Sequence, residues 1–303
     1  MIIKIGTRNS KLAIAYTDQV VHALLQTNFD EQIDVDIKFI KSLGDIKENT
    51  PIAELGGKGA FTQTLEDALI KEEIDVAVHS FKDLPKDISD ETEISAVLKR
   101  NDPRDVFLSR DKIKLRDLKS KSIIGTSSFR REFQIKRLKK DISCKLIRGN
   151  VDTRIKKLKE GLYDAIILSS AGIKSLQLEK EITQIFTTDA IIPSAGQGII
   201  SIQCRKNHTE ITELLNKIND SDTQKCAVAE RDVLKVLEGD CETPIGVHAL
   251  LNNNKIILEA ELFSLNGSQR FYEKLIKDKK DFYKIGVEIG KKLKERSKGS
   301  YKK

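Results

Sequence analysis

Cysteine and aromatic residues are scarce in this sequence, and their scarcity excludes several classes of protein. Four cysteines are spread over 303 residues without a CxxC pair, which excludes a disulfide-stabilised scaffold and predicts that no metal is bound. No apolar run approaches the length of a membrane-spanning helix. The chain enters strand-like sequence at residues 1–6 (MIIKIG) without a signal-peptide pattern, so we expect a cytoplasmic protein.

The chain carries an excess of basic residues, with 53 Lys and Arg against 46 Asp and Glu and a net charge of +7. Such a charge suits nucleic acid, an anionic membrane or a polyanionic small molecule. Aromatic residues make up only 5% of the chain, whereas single-stranded nucleic acid needs aromatic platforms among the basic residues. We therefore expect a small anionic partner, with no binding of nucleic acid or membrane.

Strand and helix signals alternate along the first two thirds of the chain, which is typical of a mostly parallel sheet covered by helices. Two of the strands, at 2–5 and 122–125, lead into Gly-Thr and hydroxyl residues at the start of a helix. This echo predicts two domains of similar design, each with a helix N-terminus that suits an anion. The other strands are predicted at 35–40, 75–79, 145–147, 164–168 and 199–203.

A third region begins near residue 221 with an amphipathic helix and a polar loop at 238–245. A strand meander with a turn at Asn266 and Gly267 follows, and a helix closes it. The end of the chain, from residue 291, is rich in charge and is expected to be a frayed terminus.

Two groups of charged residues follow predicted strands. Lys82 and Asp83 come directly after the strand at 75–79, where an open α/β sheet binds its ligand, although a surface turn ended by Pro85 explains the pair equally well. His79, within that strand, is expected to be structural. Five of the 14 arginines fall between residues 130 and 154.

The arginines of this cluster stand at turns. Arg130 and Arg131 lie in the first turn of a predicted helix, where the helix dipole disfavours cations and a bound anion would compensate. Arg148 and Arg154 frame another strand-to-helix turn, and the forked guanidinium suits carboxylates. The alternative is a solvated basic face, which we expect for the neighbouring lysines.

Cys241 differs from the other cysteines because it lies in a polar loop flanked by Gly and Pro. It is the best candidate for a nucleophile or an attachment point, whereas Cys144, Cys204 and Cys226 are expected to be small buried hydrophobes. The Gly-rich stretch at 42–60 lacks P-loop spacing and is either a flexible connection or a lid.

Together, these segments resemble the porphobilinogen deaminase family in order and spacing from residue 2 to about residue 265. The matching stretches are IGTRNSKLA, LGGKGAFTQTLEDAL, DVAVHSFKDLP, RNDPRD, GTSSFRRE, IRGNVDTR, YDAIILSSAG, AGQG and GDCETPIG. The resemblance implies an α/β fold with two similar domains of the type II periplasmic-binding-protein kind, plus a smaller C-terminal α/β domain that carries the cofactor cysteine. The implied domains span residues 1–98 with 199–216, 104–192, and 221–303.

The resemblance also implies a monomeric transferase of haem biosynthesis, a hydroxymethylbilane synthase. It would condense four porphobilinogen molecules head to tail into the linear tetrapyrrole hydroxymethylbilane and release ammonia. A dipyrromethane cofactor would be attached to Cys241 through a thioether. Asp83 would be the central acid–base group, and Lys82 would neutralise carboxylates.

The resemblance assigns roles to further residues. Those that would hold the cofactor with Lys82 and Asp83 are Thr126, Ser127, Ser128, Arg130, Arg131, Arg148 and Arg154. Those that would bind the substrate are Arg8, Ser10, Arg148, Arg154 and Gln197. Those of the lid would be Lys58 and Phe61.

The sequence departs from the family pattern at several positions. Ser175 stands where arginine is usual, Tyr16 where glutamine is common, and Lys11 where proline is common. Asp240 stands where glycine commonly precedes the cysteine and places a negative charge beside the thiol. The alternative from another functional class is a non-catalytic, two-lobed protein that binds an anionic solute. It would use the arginines but would leave Cys241 and Asp83 without a role.

Overall fold

The computed structural model describes residues 1–27, 33–42, 59–85, 87–239 and 242–302. Its strands are β1 (Ile2–Thr7), β2 (Asp34–Phe39), β3 (Val76–Ser80), β4 (Thr92–Val97), β5 (Asp105–Ser109), β6 (Ile123–Gly125), β7 (Ser143–Lys145), β8 (Ala165–Ser169), β9 (Gln184–Ile185), β10 (Ile200–Arg205), β11 (Ile245–Asn252), β12 (Lys255–Phe263) and β13 (Arg270–Asp278). Its helices are α1 (Lys11–Leu25), α2 (Gly59–Ile70), α3 (Phe129–Leu138), α4 (Val151–Lys159), α5 (Ser170–Ser175), α6 (Thr209–Ile218), α7 (Ser221–Leu237) and α8 (Phe282–Ser297). Across the described ranges, no helix has the length and apolar character needed to span a bilayer.

The first unit comprises Met1–Asn101 and Ile199–Gln224. Its sheet has the order β2-β1-β3-β10-β4, in which β1 is parallel to β2 and β3, and β10 is antiparallel to β3 and β4. Because β10 is antiparallel to both of its neighbours, β4 runs in the same direction as β1, β2 and β3. The prediction of a mostly parallel sheet is therefore confirmed, with β10 as the reversed strand of this sheet, lying between β3 and β4.

The second unit comprises Asp102–Gly198 and Lys225–Lys303 and contains two sheets. One has the order β7-β6-β8-β5-β9, with β6 parallel to β7 and β8, and β5 antiparallel to β8 and β9. This repeats the pattern of the first unit and confirms the prediction of two similar α/β sheets. Strand β7 lies two residues earlier than predicted, and β5 was not predicted.

The other sheet of this unit is an antiparallel meander of β11, β12 and β13. Alternate residues of β12, from Ile256 to Leu262, face a core shared with α7 and α8. The predicted meander lacked β11, because the sequence 238–245 resembles a polar loop and hides where the strand begins. The prediction of a C-terminal α/β region is confirmed.

The expectation of a frayed terminus was wrong. Helix α8 continues to Ser297, and Tyr301 beyond it is only 1% exposed. The hydroxyl of Tyr301 donates to the backbone oxygen of Leu237 over 3.1 Å. The charges of this segment lie on the outer face of a helix whose inner face is apolar at Ile289 and Leu293, so composition alone was misleading.

Helices α7 and α8 pack closely because Gly286 has no side chain. A Cβ atom at Gly286 would lie 2.1 Å from the backbone oxygen of Ala229 and 2.9 Å from Cβ of Asp232. The first distance involves backbone, which cannot rotate away as a flexible side chain would.

We expect Gly286→Ala to lower the free energy of unfolding by about 1–3 kcal/mol, since overpacking outweighs the better helix propensity of alanine. Urea unfolding followed by circular dichroism measures this change. Lys291→Ala, an exposed change on the same helix, should stay within about 0.5 kcal/mol of the parent. A Gly286→Ala protein as stable as this control would contradict the packing account.

Candidate active site

The first group of candidate residues lies where β1 and β3 end. These strands are neighbours and run parallel, with Ile5 opposite Val76 and Gly6 opposite Ala77. The turns after their carboxyl ends therefore lie side by side, and this edge is where an α/β sheet binds its ligand. Arg8 follows β1, and Asp83 follows β3.

A short 3₁₀ turn, Phe81–Asp83, presents Lys82 and Asp83. Buried side chains on both sides anchor it, because Phe81 is 7% exposed and Leu84 is 1% exposed. The amide of Leu84 donates to the backbone oxygen of Phe81 over 3.2 Å and closes the turn. Lys82 and Asp83 are consequently half-buried on a rigid support.

Asp83 lines a pocket that is open to solvent. Ser10 stands at its rim as the N-cap of α1, where its hydroxyl oxygen accepts from the amide of Ala13 over 3.2 Å. Arg8 and Asp83 are the charged residues among those that line the pocket, and they have opposite signs. The pocket therefore suits a ligand that carries both an anionic and a cationic group. Its lining residues are Arg8, Ser10, Leu12, Ala13, Tyr16, Thr62, Val78, His79, Ser80 and Asp83.

His79 in this pocket is a neutral, oriented side chain. Its Nε2 lies 2.9 Å from Oε1 of Gln203, whose own amide nitrogen donates to Glu66 over 2.7 Å and to Thr92 over 2.8 Å. The amide oxygen of Gln203 must therefore accept, so the proton of His79 is on Nε2. Burial lowers the pKa of His79 to about 4. His79 packs within the fold, as expected, and it also lines the pocket.

The second group of candidate residues surrounds a carboxylate that the sequence alone did not indicate. Asp105, the first residue of β5, is completely buried. Its Oδ2 accepts from Nη1 of Arg130 over 2.7 Å, and its Oδ1 accepts from Nη2 and Nε of Arg131 over 2.6 and 3.1 Å. Burial would raise the pKa of Asp105, but the two guanidinium groups hold it well below its usual range.

The two arginines differ in the donors that they have left. Arg131 also donates from Nη1 to the backbone oxygen of Ile167 over 3.2 Å, so the protein engages all three of its nitrogens. Arg130 uses only Nη1, which also donates to the backbone oxygen of Ile192 over 2.8 Å. Its Nε and Nη2 donate to none of the residues that the structure describes. Both arginines thus bind the internal carboxylate of Asp105, and Arg130 keeps two nitrogens that can donate to another anion.

Gln197 belongs to the same cluster. It is fully buried, and its amide nitrogen donates to the backbone oxygen of Pro103 over 2.7 Å and to Asp105 over 2.9 Å. Its amide oxygen lies 3.4 Å from Nη2 of Arg131. Gln197 contacts the buried ion pair, and a direct contact with substrate stays a prediction.

The hydroxyl residues before α3 shape its N-terminus. Ser128 is the N-cap and accepts from the amide of Arg131 over 3.4 Å, while Thr126 accepts from the amide of Ser128 over 3.1 Å. Ser127 between them is exposed. The helix dipole and the nearby guanidinium groups make this end a favourable position for an anion.

The turn before α4 places Arg148 and Arg154 at a second helix N-terminus in the same unit, where both are half-buried. Nε of Arg154 donates to the backbone oxygen of Gly149 over 2.8 Å, and Lys157 donates to that of Arg148 over 3.0 Å. Gly149 has φ +109°, a conformation that favours glycine. These contacts hold the turn in shape.

Several predicted residues lie outside the described part of the chain. Cys241, Asp240 and Lys58 are among them, and so is the side chain of Phe61. The described cysteines are free thiols, with Cys204 and Cys226 buried and Cys144 half-buried. Burial raises the pKa of Cys144 to about 12, so it is a poor nucleophile at neutral pH.

Comparison with known proteins finds matches to one enzyme family over nearly the whole chain. Residues 3–213 match the family model described as porphobilinogen deaminase, dipyrromethane cofactor binding domain, and residues 224–295 match the model for the C-terminal domain of that enzyme. The chain is 40% identical to porphobilinogen deaminase of Clostridium kluyveri, over 97% of this chain and 99% of that protein. It is 38% identical to the enzyme of Nitrobacter hamburgensis, over 98% and 94% of the two chains.

Among solved structures, the VFT2 domain of Bordetella pertussis BvgS aligns with a TM-score of 0.42 and 13% identity, over 72% of this chain and 86% of that one.

The buried cluster at Asp105 generates a prediction about stability. Asp105→Asn would leave two buried guanidinium groups without a counter-charge, so we expect the free energy of unfolding at pH 7 to fall by about 3–5 kcal/mol. The folded-state pKa of Asp105 lies below the unfolded value of about 3.9, so its contribution is present above that pH and is lost as the pH falls further. Urea unfolding at pH 7 and at pH 3 measures both effects.

Asp111→Asn is the matched control, because the side chain of Asp111 is 61% exposed and its pairing with Arg110 spans 3.4 Å. We expect this change to cost less than about 1 kcal/mol. Equal stability of the two variants at pH 7 would refute the role given to Asp105.

Proposed function

The chain belongs to the porphobilinogen deaminase family, and from that premise we propose which of its residues carry the reaction. Its relatives are transferases that match it from end to end, so this chain condenses porphobilinogen into hydroxymethylbilane with release of ammonia. The observation that carries this conclusion is identity of about 40% over 97% of the chain. Only distant fold likeness stands behind the alternative of a non-catalytic solute-binding protein.

The residues around α3 fit the dipyrromethane cofactor for which the family model is named. This group bears carboxylates on each of its rings, and it supplies the pyrrole position to which substrate units are added. Nε and Nη2 of Arg130, which donate to none of the described residues, suit such an anion, as do the exposed Ser127 and the N-terminus of α3. We propose that these groups hold the cofactor's carboxylates together with Thr126, Ser128, Arg148 and Arg154, and that Cys241 forms the thioether. Arg131, whose three nitrogens donate to the protein, supports this site through its ion pair with Asp105 and does not bind the cofactor directly.

Asp83 is proposed as the catalytic carboxylate. In each condensation, a carbon–carbon bond forms between the methylene of one porphobilinogen and a ring carbon of the next pyrrole. The carbon–nitrogen bond of the aminomethyl group breaks, ammonia leaves, and the attacked ring carbon loses a proton. A half-buried carboxylate beside the methylene stabilises the positive charge that develops there and can accept that proton.

The pocket residues opposite Asp83 are proposed to bind the substrate. Arg8 provides the cation for a carboxylate, and Ser10 retains its hydroxyl hydrogen as a donor because only its oxygen caps α1. Lys82, on the same turn as Asp83, neutralises a further carboxylate. The lid function of Lys58 and Phe61 stays a prediction.

We also propose that the protein acts as a cytoplasmic monomer. The family resemblance assigns the cofactor and substrate residues to positions within a single chain, which suits a site formed in one copy of the protein. Three free thiols are consistent with a reducing compartment.

Asp83→Asn keeps the size of the side chain but removes its charge and its capacity to take a proton. We expect the rate of ammonia release from porphobilinogen to fall by about 100-fold or more, as is typical of losing a key electrostatic or acid–base group. Asp90→Asn, a change at an exposed residue of the same unit, should leave the rate unchanged. Unchanged kinetics in the Asp83→Asn protein would place the chemistry elsewhere.

The attachment at Cys241 predicts a covalent adduct. Protein made with ample porphobilinogen should exceed its sequence mass by two linked pyrrole units, and a digest should place them on the Cys241 peptide. A thioether resists thiol reductants, so the adduct should survive reduction. Mass spectrometry of the intact and digested protein measures this.

Cys241→Ser should carry no adduct and show little or no activity, whereas Cys144→Ser should keep both. An unmodified Cys241, or full activity in the Cys241→Ser protein, would overturn the assignment of the attachment site.

A further inference from the structure

Tyr16 of α1 forms part of the pocket wall. Leu12, Ala13 and Tyr16 recur at helical spacing and turn one face of α1 toward the space between Arg8 and Asp83. Tyr16 is 6% exposed, and its ring belongs to the apolar core that includes Val20. Packing therefore fixes the ring and leaves only the position of its hydroxyl to be explained.

The hydroxyl of Tyr16 makes no hydrogen bond to any residue in the described part of the chain, which is unusual for a tyrosine buried this deeply. Three other tyrosines show the usual behaviour. The hydroxyl of Tyr301 donates to Leu237 over 3.1 Å, that of Tyr163 to Leu146 over 2.7 Å, and that of Tyr272 to Glu259 over 3.1 Å. A polar group that lines a pocket without a protein partner points to a bound ligand as its partner.

The hydroxyl remains protonated at neutral pH. Burial raises the pKa of Tyr16, and the negative charge of Asp83 raises it further. Tyr16 thus offers a neutral O–H donor beside Asp83 and adds no charge to the pocket. A donor needs an acceptor, and the strong acceptors of porphobilinogen are its two carboxylates, because its ammonium and pyrrole N–H groups are donors.

We propose that the Tyr16 hydroxyl donates a hydrogen bond to the carboxylate of the incoming porphobilinogen that pairs with Arg8. The inference rests on the function proposed for this pocket and names a further substrate-binding residue within it. Asp83 is left to face the cationic side of the substrate. Tyr16 then contributes to binding of the ground state and of the transition state alike, and takes no part in the proton transfer.

Tyr16→Phe, studied in the cofactor-loaded enzyme, removes only the hydroxyl. A hydrogen bond to a charged acceptor is lost, so we expect KM for porphobilinogen to rise about tenfold, with kcat within about twofold of the parent. Tyr16→Gln, which restores an N–H donor, should recover part of the lost affinity. Two analogues of porphobilinogen, one with the acetate and one with the propionate converted to its methyl ester, identify the carboxylate that Tyr16 binds. The analogue in which that carboxylate is esterified should bind the parent and the Tyr16→Phe enzyme equally weakly.

Tyr283→Phe is the matched control, because Tyr283 is 51% exposed and lies outside the pocket, and its KM should equal that of the parent. Unfolding midpoints within error of the parent would show that Tyr16→Phe keeps the fold. An unchanged KM, or a fall in kcat at constant KM, would overturn the proposal for Tyr16 while leaving the proposed function intact. A parent protein that carries the adduct but releases no ammonia would overturn both.

Discussion

The carboxylate of Asp105 holds two guanidinium groups in the interior of the second unit, and this buried cluster fixes the geometry around it. Moving charges out of water costs several kcal/mol for each ion, and this cost is offset only where pairing and hydrogen bonding are nearly complete. Here the backbone oxygens of Ile167 and Ile192 and the amide of Gln197 add further hydrogen bonds to the ion pairs, and Nε and Nη2 of Arg130 are the donors that they leave over. The cluster thereby joins β5, β8, α3 and the segment before Gly198. A loss at any of these positions would leave a buried charge exposed to the low-dielectric interior.

This arrangement also prepares the site for its ligand. Arg130 is held by one nitrogen, so its remaining donors are oriented before an anion arrives, and little side-chain entropy is left to lose on binding. The charges that line the pocket of the first unit are arranged differently from those of the second unit. There, Arg8 and Asp83 carry opposite charges, while burial lowers the pKa of His79 and raises that of Tyr16, so that both are neutral near pH 7. The second unit thus suits a polyanion, and the pocket suits a substrate with both carboxylates and an ammonium group.

Local patterns predicted the elements well where one signal dominated. Apolar runs and Gly-Thr turns indicated β1, β3, β6 and β8, since the turn residues and the strand residues are neighbours in sequence. Strands β4, β5, β9 and β11 were not predicted. Of these, β5 and β11 each begin in polar, Pro-containing sequence, and their pairing partners come from other segments of the chain. The C-terminal segment was misjudged because its lysines hide the apolar stripe that packs in the core. The reversed direction of β10 was not predicted, because its pairing depends on where the chain returns to the first sheet.

The sequence by itself determined the family, the two echoed sheets and the identity of the charged residues, because these depend on residue type and spacing alone. Tertiary structure decided which of those charges face inward. Arg130 and Arg131 are neighbours of the same residue type, yet the folded protein engages every nitrogen of Arg131, whereas Nε and Nη2 of Arg130 find no acceptor among the described residues. Tyr16 was only a departure from a common glutamine until the fold placed it beside Asp83. The protonation state of a side chain, and the donors that it has left for a ligand, depend on contacts with residues far away in the sequence. Those contacts form only when the chain folds.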